Sequence, residues 1–204
     1  MTSPWDDSRR AFADAAHWFV ATTARVGDRW DEPGLGEWDV RALVGHTSRS
    51  LLTVETYLGQ PAAAVEVSSA LDYYRATSAA AAAPAVAQRG RDAGAALGTD
   101  PAAAVAEIAA RVVPLVESRN DADLLTTIVG GMRLGDYLPT RTFELAAHTA
   151  DLAGALGLPL DLPASTAAQA LQLITGLAVA RGLAGPLLLA ATGRPGLPAG
   201  FSVL

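Results

Sequence analysis

The sequence predicts an all-α protein, and three features of the chain support this fold class. Half of the 204 residues are hydrophobic, and alanine, the best helix former, dominates that apolar set. Apolar residues recur at helical spacing in several segments, whereas valine and isoleucine rarely alternate with polar residues. Asp, Pro and Gly stand where helices begin and end. We therefore expect helices and no extended sheet.

The N-terminal quarter is expected to contain two helices. Periodic apolar residues predict the first over about Ser8–Arg25, with Asp6 or Asp7 as its cap. A loop rich in glycine and proline follows. The second helix has Asp39 as a natural N-cap, carries one continuous apolar stripe and stops at Gly59.

The middle of the chain predicts a longer helical region. Residues 68–98 favour helix with an interruption at Pro84. The alanine run at 79–83 is of low complexity, but alanine supports helix. A further helix follows, capped by Thr99 or Asp100, with a proline at its first position, where the missing N–H costs nothing.

The C-terminal part alternates between one ambiguous stretch and three helices. Residues 120–135 could form a short strand or an irregular turn. Helices are expected over 139–156, 165–181 and 185–191, and the tail over 195–204 is expected to be extended. The connections are short, which favours antiparallel neighbours in one helical domain spanning the whole chain.

Charge and cysteine content exclude several classes of function. The net charge is −6 and every one of the 15 basic residues is arginine. An acidic chain with scattered arginines and no basic stripe is not expected to bind nucleic acid. The chain has no cysteine, so disulfides, cysteine-ligated zinc and a cysteine nucleophile are excluded. Any thiol chemistry would need a thiol from outside.

The sequence also predicts the compartment. The N-terminus lacks the basic and apolar pattern of a signal peptide, and the apolar run at 185–191 is too short to cross a bilayer. We therefore expect a cytoplasmic protein that does not contact a membrane.

A possible metal site is the main chemical feature of the sequence. Glu144 and His148 are four residues apart on one predicted helix and share a face, and His46 on another long helix could supply a third ligand. Two nitrogens and one oxygen suit Zn²⁺, and also Ni²⁺ or Fe²⁺, and leave coordination positions open. The alternative is ordinary: Glu–His pairs at this spacing are common on exposed helix faces, and single histidines are often solvated.

Two sequence motifs resemble one known family. Residues 38–46, Trp-Asp-Val-Arg-Ala-Leu-Val-Gly-His, match the first signature of mycothiol-dependent maleylpyruvate isomerases. Residues 141–157 contain Arg-x-x-Glu-x-x-x-His-x-x-Asp-Leu, which is similar to the second signature. Residues 192–201 resemble the end of short family members. The resemblance places the chain in the wider DinB/YfiT-like metalloprotein group.

The resemblance implies a fold and an activity. The fold would be a four-helix bundle with up-down-down-up order, here with extra C-terminal helices. The metal ligands would be His46, Glu144 and His148, with zinc as the expected ion. Relatives use mycothiol at the metal, as an isomerase that adds and then eliminates the thiol, or as a transferase that leaves it attached. The expected partners are this thiol and a small electrophilic substrate. Bundles of this kind often form homodimers.

The chain also departs from the family pattern. Full-length maleylpyruvate isomerases have a C-terminal domain that contributes an arginine to the active site, and we expect a short form without it. Arg75 or Arg141 could bind an anionic substrate instead, although a solvated or ion-paired arginine is the ordinary interpretation of each. Asp151, three residues after His148, could orient that ring or simply lie on the helix surface.

Two less specific interpretations stay open at this stage. The chain could be a metal-binding bundle without catalysis, acting as a binding or stress-response module. It could also be a plain helical protein whose site has decayed. Trp38 and Tyr137 could line a pocket mouth or only pack at helix starts, and His17, outside both motifs, is expected at the surface or the core edge.

Overall fold

The all-α prediction is confirmed by the structure, a computed structural model that describes residues 3–78, 84–194 and 196–204. Two short antiparallel ribbons accompany the helices. The described elements are α1 (Pro4–Thr23), β1 (Pro33–Leu35), β2 (Trp38–Asp39), α2 (Val40–Leu58), α3 (Ala70–Ser78), α4 (Pro84–Ala96), α5 (Pro101–Glu117), β3 (Leu124–Thr127), β4 (Gly130–Arg133), α6 (Leu134–Ala155), α7 (Ala164–Ala180) and α8 (Ala184–Ala191).

Side-chain caps set the helix starts, and they correct one prediction. The Asp39 carboxylate accepts from the backbone N–H of Ala42 at 2.7 Å, as expected for the N-cap of α2. Asp100 caps α5 in the same way. The predicted start of the first helix at about Ser8, with Asp6 or Asp7 as its cap, is wrong, because Ser3 is the N-cap and forms a capping box with Asp6 that begins α1 one turn earlier.

α6 begins before the proline that was expected to start it. The predicted start at Pro139 is wrong, since α6 begins at Leu134 and Pro139 lies inside it. A proline in this position removes one backbone hydrogen bond and crowds the carbonyl group four residues earlier, but α6 continues through it. The helix ends at Ala155 with Leu156 as its C-cap, close to the predicted end.

The ambiguous stretch before α6 forms a hairpin. β3 and β4 pair antiparallel, with Leu124 opposite Arg133 and Thr127 opposite Gly130. The strand alternative is therefore the correct one for this segment. The pairing stays local, in a ribbon of two strands, which agrees with the expectation of no extended sheet.

The region between α2 and α5 is helical on both sides of residues 79–83, as α3 (Ala70–Ser78) and α4 (Pro84–Ala96). The predicted helix over residues 79–83 lies outside the described residues. α4 packs along α2, and α3 contacts α6 and α7.

Four of the longer helices surround the main core. α1 and α2 each contact both α5 and α6, so the four enclose a common apolar interior. Its largest fully buried side chains are Tyr137, Phe12, Phe19, Leu43 and Leu51. A smaller cluster lies between α6 and α7. This arrangement agrees with a bundle, and the up-down-down-up order stays a prediction. Within the described ranges, no helix combines the length and apolar character that a membrane span requires.

Glycine allows α2 and α4 to approach closely beside the site described below. A Cβ atom on Gly45 would lie 2.1 Å from the backbone nitrogen of Gly94, and a Cβ on Gly94 would lie 2.7 Å from the Arg41 carbonyl oxygen. Backbone atoms cannot yield as flexible side chains do. The two helices can therefore cross at this distance only with glycine at both positions.

We expect Gly45→Ala to lower the free energy of unfolding by about 1–3 kcal/mol, because the added methyl group must push α4 away from α2. Urea unfolding followed by circular dichroism measures this. The matched control is Gly154→Ala on α6, where the Cβ meets no atom within 4 Å and should stabilise by about 0.5–1 kcal/mol. Equal stability of the Gly45→Ala variant and the unchanged protein would contradict the close crossing.

Candidate metal centre

The structure brings His46, Glu144 and His148 together from two helices. His46 lies in α2, and Glu144 and His148 lie one turn apart in α6, which packs against α2. One potential ligand atom from each residue lies within 4.8 Å of the other two. In the described part of the chain, this is the one group of His, Cys, Asp or Glu side chains that meets this criterion with three members.

His148 is oriented by carboxylates at both ring nitrogens. Its Nε2 atom lies 3.3 Å from Oε2 of Glu144, and its Nδ1 atom lies 3.1 Å from Oδ2 of Asp151. An N–H at Nδ1 that donates to Asp151 leaves the lone pair of neutral His148 at Nε2, on the side of Glu144. Of the two alternatives that the sequence offered for Asp151, the structure shows the contact with the His148 ring.

Glu144 has a partner that the sequence did not reveal. The hydroxyl of Tyr74, on α3, donates to Oε1 of Glu144 at 2.6 Å. This hydrogen bond fixes Oε1 of the carboxylate, and the other oxygen, Oε2, faces His148. Tyr74 lies in neither motif and is far from Glu144 in the chain, so no spacing pattern in the sequence could have paired them.

The charges of the three side chains differ sharply. Burial, together with the neighbouring cations His148, Arg49 and Arg141, lowers the pKa of His46 to about 4. Burial alone would raise the pKa of Glu144, but the hydrogen bond from His148 and the charge of Arg141 outweigh it and lower the pKa to about 2.

His148 shifts in the opposite direction. Burial alone would lower its pKa, but the hydrogen bonds with Asp151 and Glu144 raise the pKa to about 9. At neutral pH the metal-free centre therefore contains a neutral His46, an ionised Glu144 and a protonated His148. The His148 proton occupies the side of Glu144 on which a cation would be bound.

The donor set fits a divalent ion. Nδ1 of His46 is buried and has no hydrogen-bond partner among the described residues. A buried polar atom without a partner is costly unless another group satisfies it, and a neutral imidazole is the form that binds metal. Two imidazoles and a carboxylate suit zinc and other borderline cations. The side chains of His148 and Glu144 are 17% and 21% exposed, so the centre is partly open to solvent.

Arg141 is buried beside the centre, which corrects the expectation of a solvated or surface ion-paired side chain. Only 9% of the residue is exposed. Its guanidinium carbon lies 5.3 Å from the ring centre of Tyr73 and 5.0 Å from that of Tyr137, and its Nε donates to Thr140 Oγ1 at 2.9 Å. So tightly packed a guanidinium acts as a fixed positive charge near Glu144.

The other sequence candidates lie in more ordinary surroundings. Arg75 is exposed on α3 and forms an ion pair with Asp72 at 3.0 Å. His17 is exposed on α1, one of the two positions expected for it. Tyr137 is fully buried and packs in the core, whereas the ring of Trp38 lies against His46.

One comparison with known proteins gives a match. A family model described as the mycothiol maleylpyruvate isomerase N-terminal domain matches residues 10–153, a segment that includes all three candidate ligands. No curated protein and no solved structure matches the chain.

Binding of a divalent ion at pH 7 should release about one proton, because His148 must lose its proton while Glu144 and His46 are already in their binding forms. The apparent affinity should then rise about tenfold per pH unit and level off near pH 9. Calorimetry of Co²⁺ binding in buffers of different ionisation enthalpy counts the proton. An affinity that stays constant between pH 6 and 8 would contradict this charge assignment.

Tyr74→Phe should weaken Co²⁺ binding by about tenfold, because it removes the hydrogen bond that holds Oε1 of Glu144. Competition with a chromophoric chelator measures the affinity. Tyr137→Phe is the matched control, since its hydroxyl bonds to Thr53 rather than to a candidate ligand. Equal affinities of the two variants would argue against a role for Tyr74 at the centre.

Proposed function

The chain belongs to the mycothiol maleylpyruvate isomerase N-terminal domain family, and from this premise we propose that it is a metal-dependent thiol isomerase or transferase. In this proposal His46, Glu144 and His148 hold one divalent cation, with zinc as the expected ion and nickel or iron(II) as the other candidates. Mycothiol is the expected thiol, and the substrate is a small electrophile. The proposed location is the cytoplasm.

The observation that carries the proposal is the convergence of the three potential ligand atoms from α2 and α6. Three protein ligands leave at least one coordination position for another molecule, which is the layout of catalytic rather than structural zinc sites. The partial exposure of Glu144 and His148 supports access of that molecule.

When bound, a divalent cation lowers the pKa of a coordinated thiol, so that the nucleophilic thiolate is available at neutral pH. The thiol must come from outside because the chain has no cysteine. In the isomerase alternative the sulfur would add to an activated double bond, and its elimination after rotation would release the thiol unchanged. In the transferase alternative the sulfur would stay attached, and the neighbouring carbon would take up the proton that the thiol had lost.

Neighbouring residues orient the proposed ligands and favour the ionised form of Glu144. Asp151 accepts a hydrogen bond from Nδ1 of His148 and thereby directs Nε2 toward Glu144. Tyr74 fixes the carboxylate of Glu144, and the buried charge of Arg141 favours its ionised form. These contacts keep the ligand set ready before any ion is bound, which reduces the cost of ordering it.

The test is a titration of the Co²⁺-loaded protein with mycothiol, followed by visible absorption. We expect a new sulfur-to-cobalt charge-transfer band in the near ultraviolet and a shift of the d–d bands, because the thiol enters the open position. His46→Ala should bind Co²⁺ at least tenfold more weakly, since one of three ligands is lost.

The outcomes separate the alternatives. If the unchanged protein and His46→Ala bind Co²⁺ equally, the proposed ligand set is wrong. If Co²⁺ binds with the expected dependence on His46 but mycothiol leaves the spectrum unchanged, the chain is a metal-binding bundle that does not activate this thiol.

A further inference from the structure

The three proposed ligands are held in place in different ways. Glu144 accepts a hydrogen bond from Tyr74, and His148 bonds to Asp151. His46 differs, because its Nδ1 is buried without a hydrogen-bond partner among the described residues and is therefore available to an ion. What the structure shows at this ring instead is a close contact with another aromatic ring.

That contact is the indole ring of Trp38. The ring centres of Trp38 and His46 lie 4.4 Å apart with an interplanar angle of 33°. The same indole lies edge-on to His148, at 6.5 Å between ring centres. Close, offset ring contacts of this kind are favourable and restrict rotation of both side chains. Trp38 lies just before α2 and His46 lies in the second turn of α2, so the ring contact joins residues on both sides of the helix start.

Trp38 is itself fixed by α4, a helix that contributes no proposed ligand. Its indole Nε1–H donates to the carbonyl oxygen of Ala87 at 2.9 Å. Gly90, one turn later, lies directly against the ring, since a Cβ atom there would come within 2.6 Å of Cε2 of Trp38. A hydrogen bond and a close backbone contact thus determine the position of the indole.

We propose that Trp38 is a positioning residue for His46 and that α4, through Ala87 and Gly90, sets the position of Trp38. This inference rests on the proposed metal site but concerns residues outside the ligand set. The indole holds the imidazole plane at a fixed angle before the ion binds. Without it, the ring of His46 must be ordered at the moment of binding, which lowers the affinity.

The first experiment measures Co²⁺ affinity and the d–d absorption spectrum of Trp38→Leu and Trp38→Phe. Leucine keeps apolar volume but removes the flat ring, and we expect about tenfold weaker binding with an altered spectrum. Phenylalanine retains a ring that can lie against His46, and should restore most of the affinity. Trp30→Phe is the matched control, because Trp30 packs against Arg41 rather than a proposed ligand, and it should bind as the unchanged protein does.

The second experiment tests the role of α4. Gly90→Ala should weaken Co²⁺ binding when Trp38 is present, because the methyl group displaces the indole. In the Trp38→Leu background the same substitution should have a much smaller effect, since the smaller side chain leaves room. Equal effects in both backgrounds would show that Gly90 does not act through Trp38 and would overturn that part of the proposal.

Thermal unfolding of the metal-free variants distinguishes positioning from loss of fold. A Trp38→Leu variant that binds Co²⁺ as tightly as the unchanged protein, with the same spectrum, overturns the proposal. Failure of the metal site looks different, because then the unchanged protein and His46→Ala bind equally. If Trp38→Leu is unfolded, Gly90→Ala decides: weaker Co²⁺ binding with an altered d–d spectrum supports the proposal, and an affinity and a spectrum identical to those of the unchanged protein overturn it.

Discussion

The packing of α2 against α6 is the contact on which the candidate site depends. α6 presents Glu144 and His148 one turn apart, and α2 presents His46, so neither helix holds a complete ligand set. The position of α2 is also constrained by α4, because Gly45 and Gly94 bring the backbones of the two helices into direct contact. Because backbone atoms are the least compressible part of a helix, this crossing limits where His46 can lie.

The electrostatics of the centre follow from that packing. A neutral His46 lies beside a protonated His148. The two ring nitrogens of His148 face two carboxylates, Nε2 that of Glu144 and Nδ1 that of Asp151. The buried Arg141 adds a fixed positive charge that favours the ionised carboxylate of Glu144. In the metal-free protein, a proton on His148 therefore balances the carboxylates. A divalent cation must displace this proton, whereas His46 and Glu144 are already in their binding forms.

Elements without a ligand determine much of the geometry. α3 contributes the hydroxyl of Tyr74 to Glu144, and α4 fixes Trp38, whose ring lies against His46. Both helices come from the alanine-rich part of the chain that shows no motif in the sequence. α3 acts through the Tyr74 hydroxyl, whereas α4 acts through the path of its backbone, which is why a small residue such as Gly90 matters there.

The sequence alone determined the helical class, the Asp39 cap and the two motifs, and it narrowed the cap of α5 to Thr99 or Asp100, because these depend on contacts within a few residues. It misplaced the starts of α1 and α6, since several residues near a helix end satisfy the same local rules. Only the tertiary structure decided that Arg141 is buried, that Tyr74 bonds to Glu144 and that Trp38 covers His46. Arg141 is buried by rings on two helices, and the other two contacts join distant segments, so they depend on how whole helices pack, which no local pattern encodes.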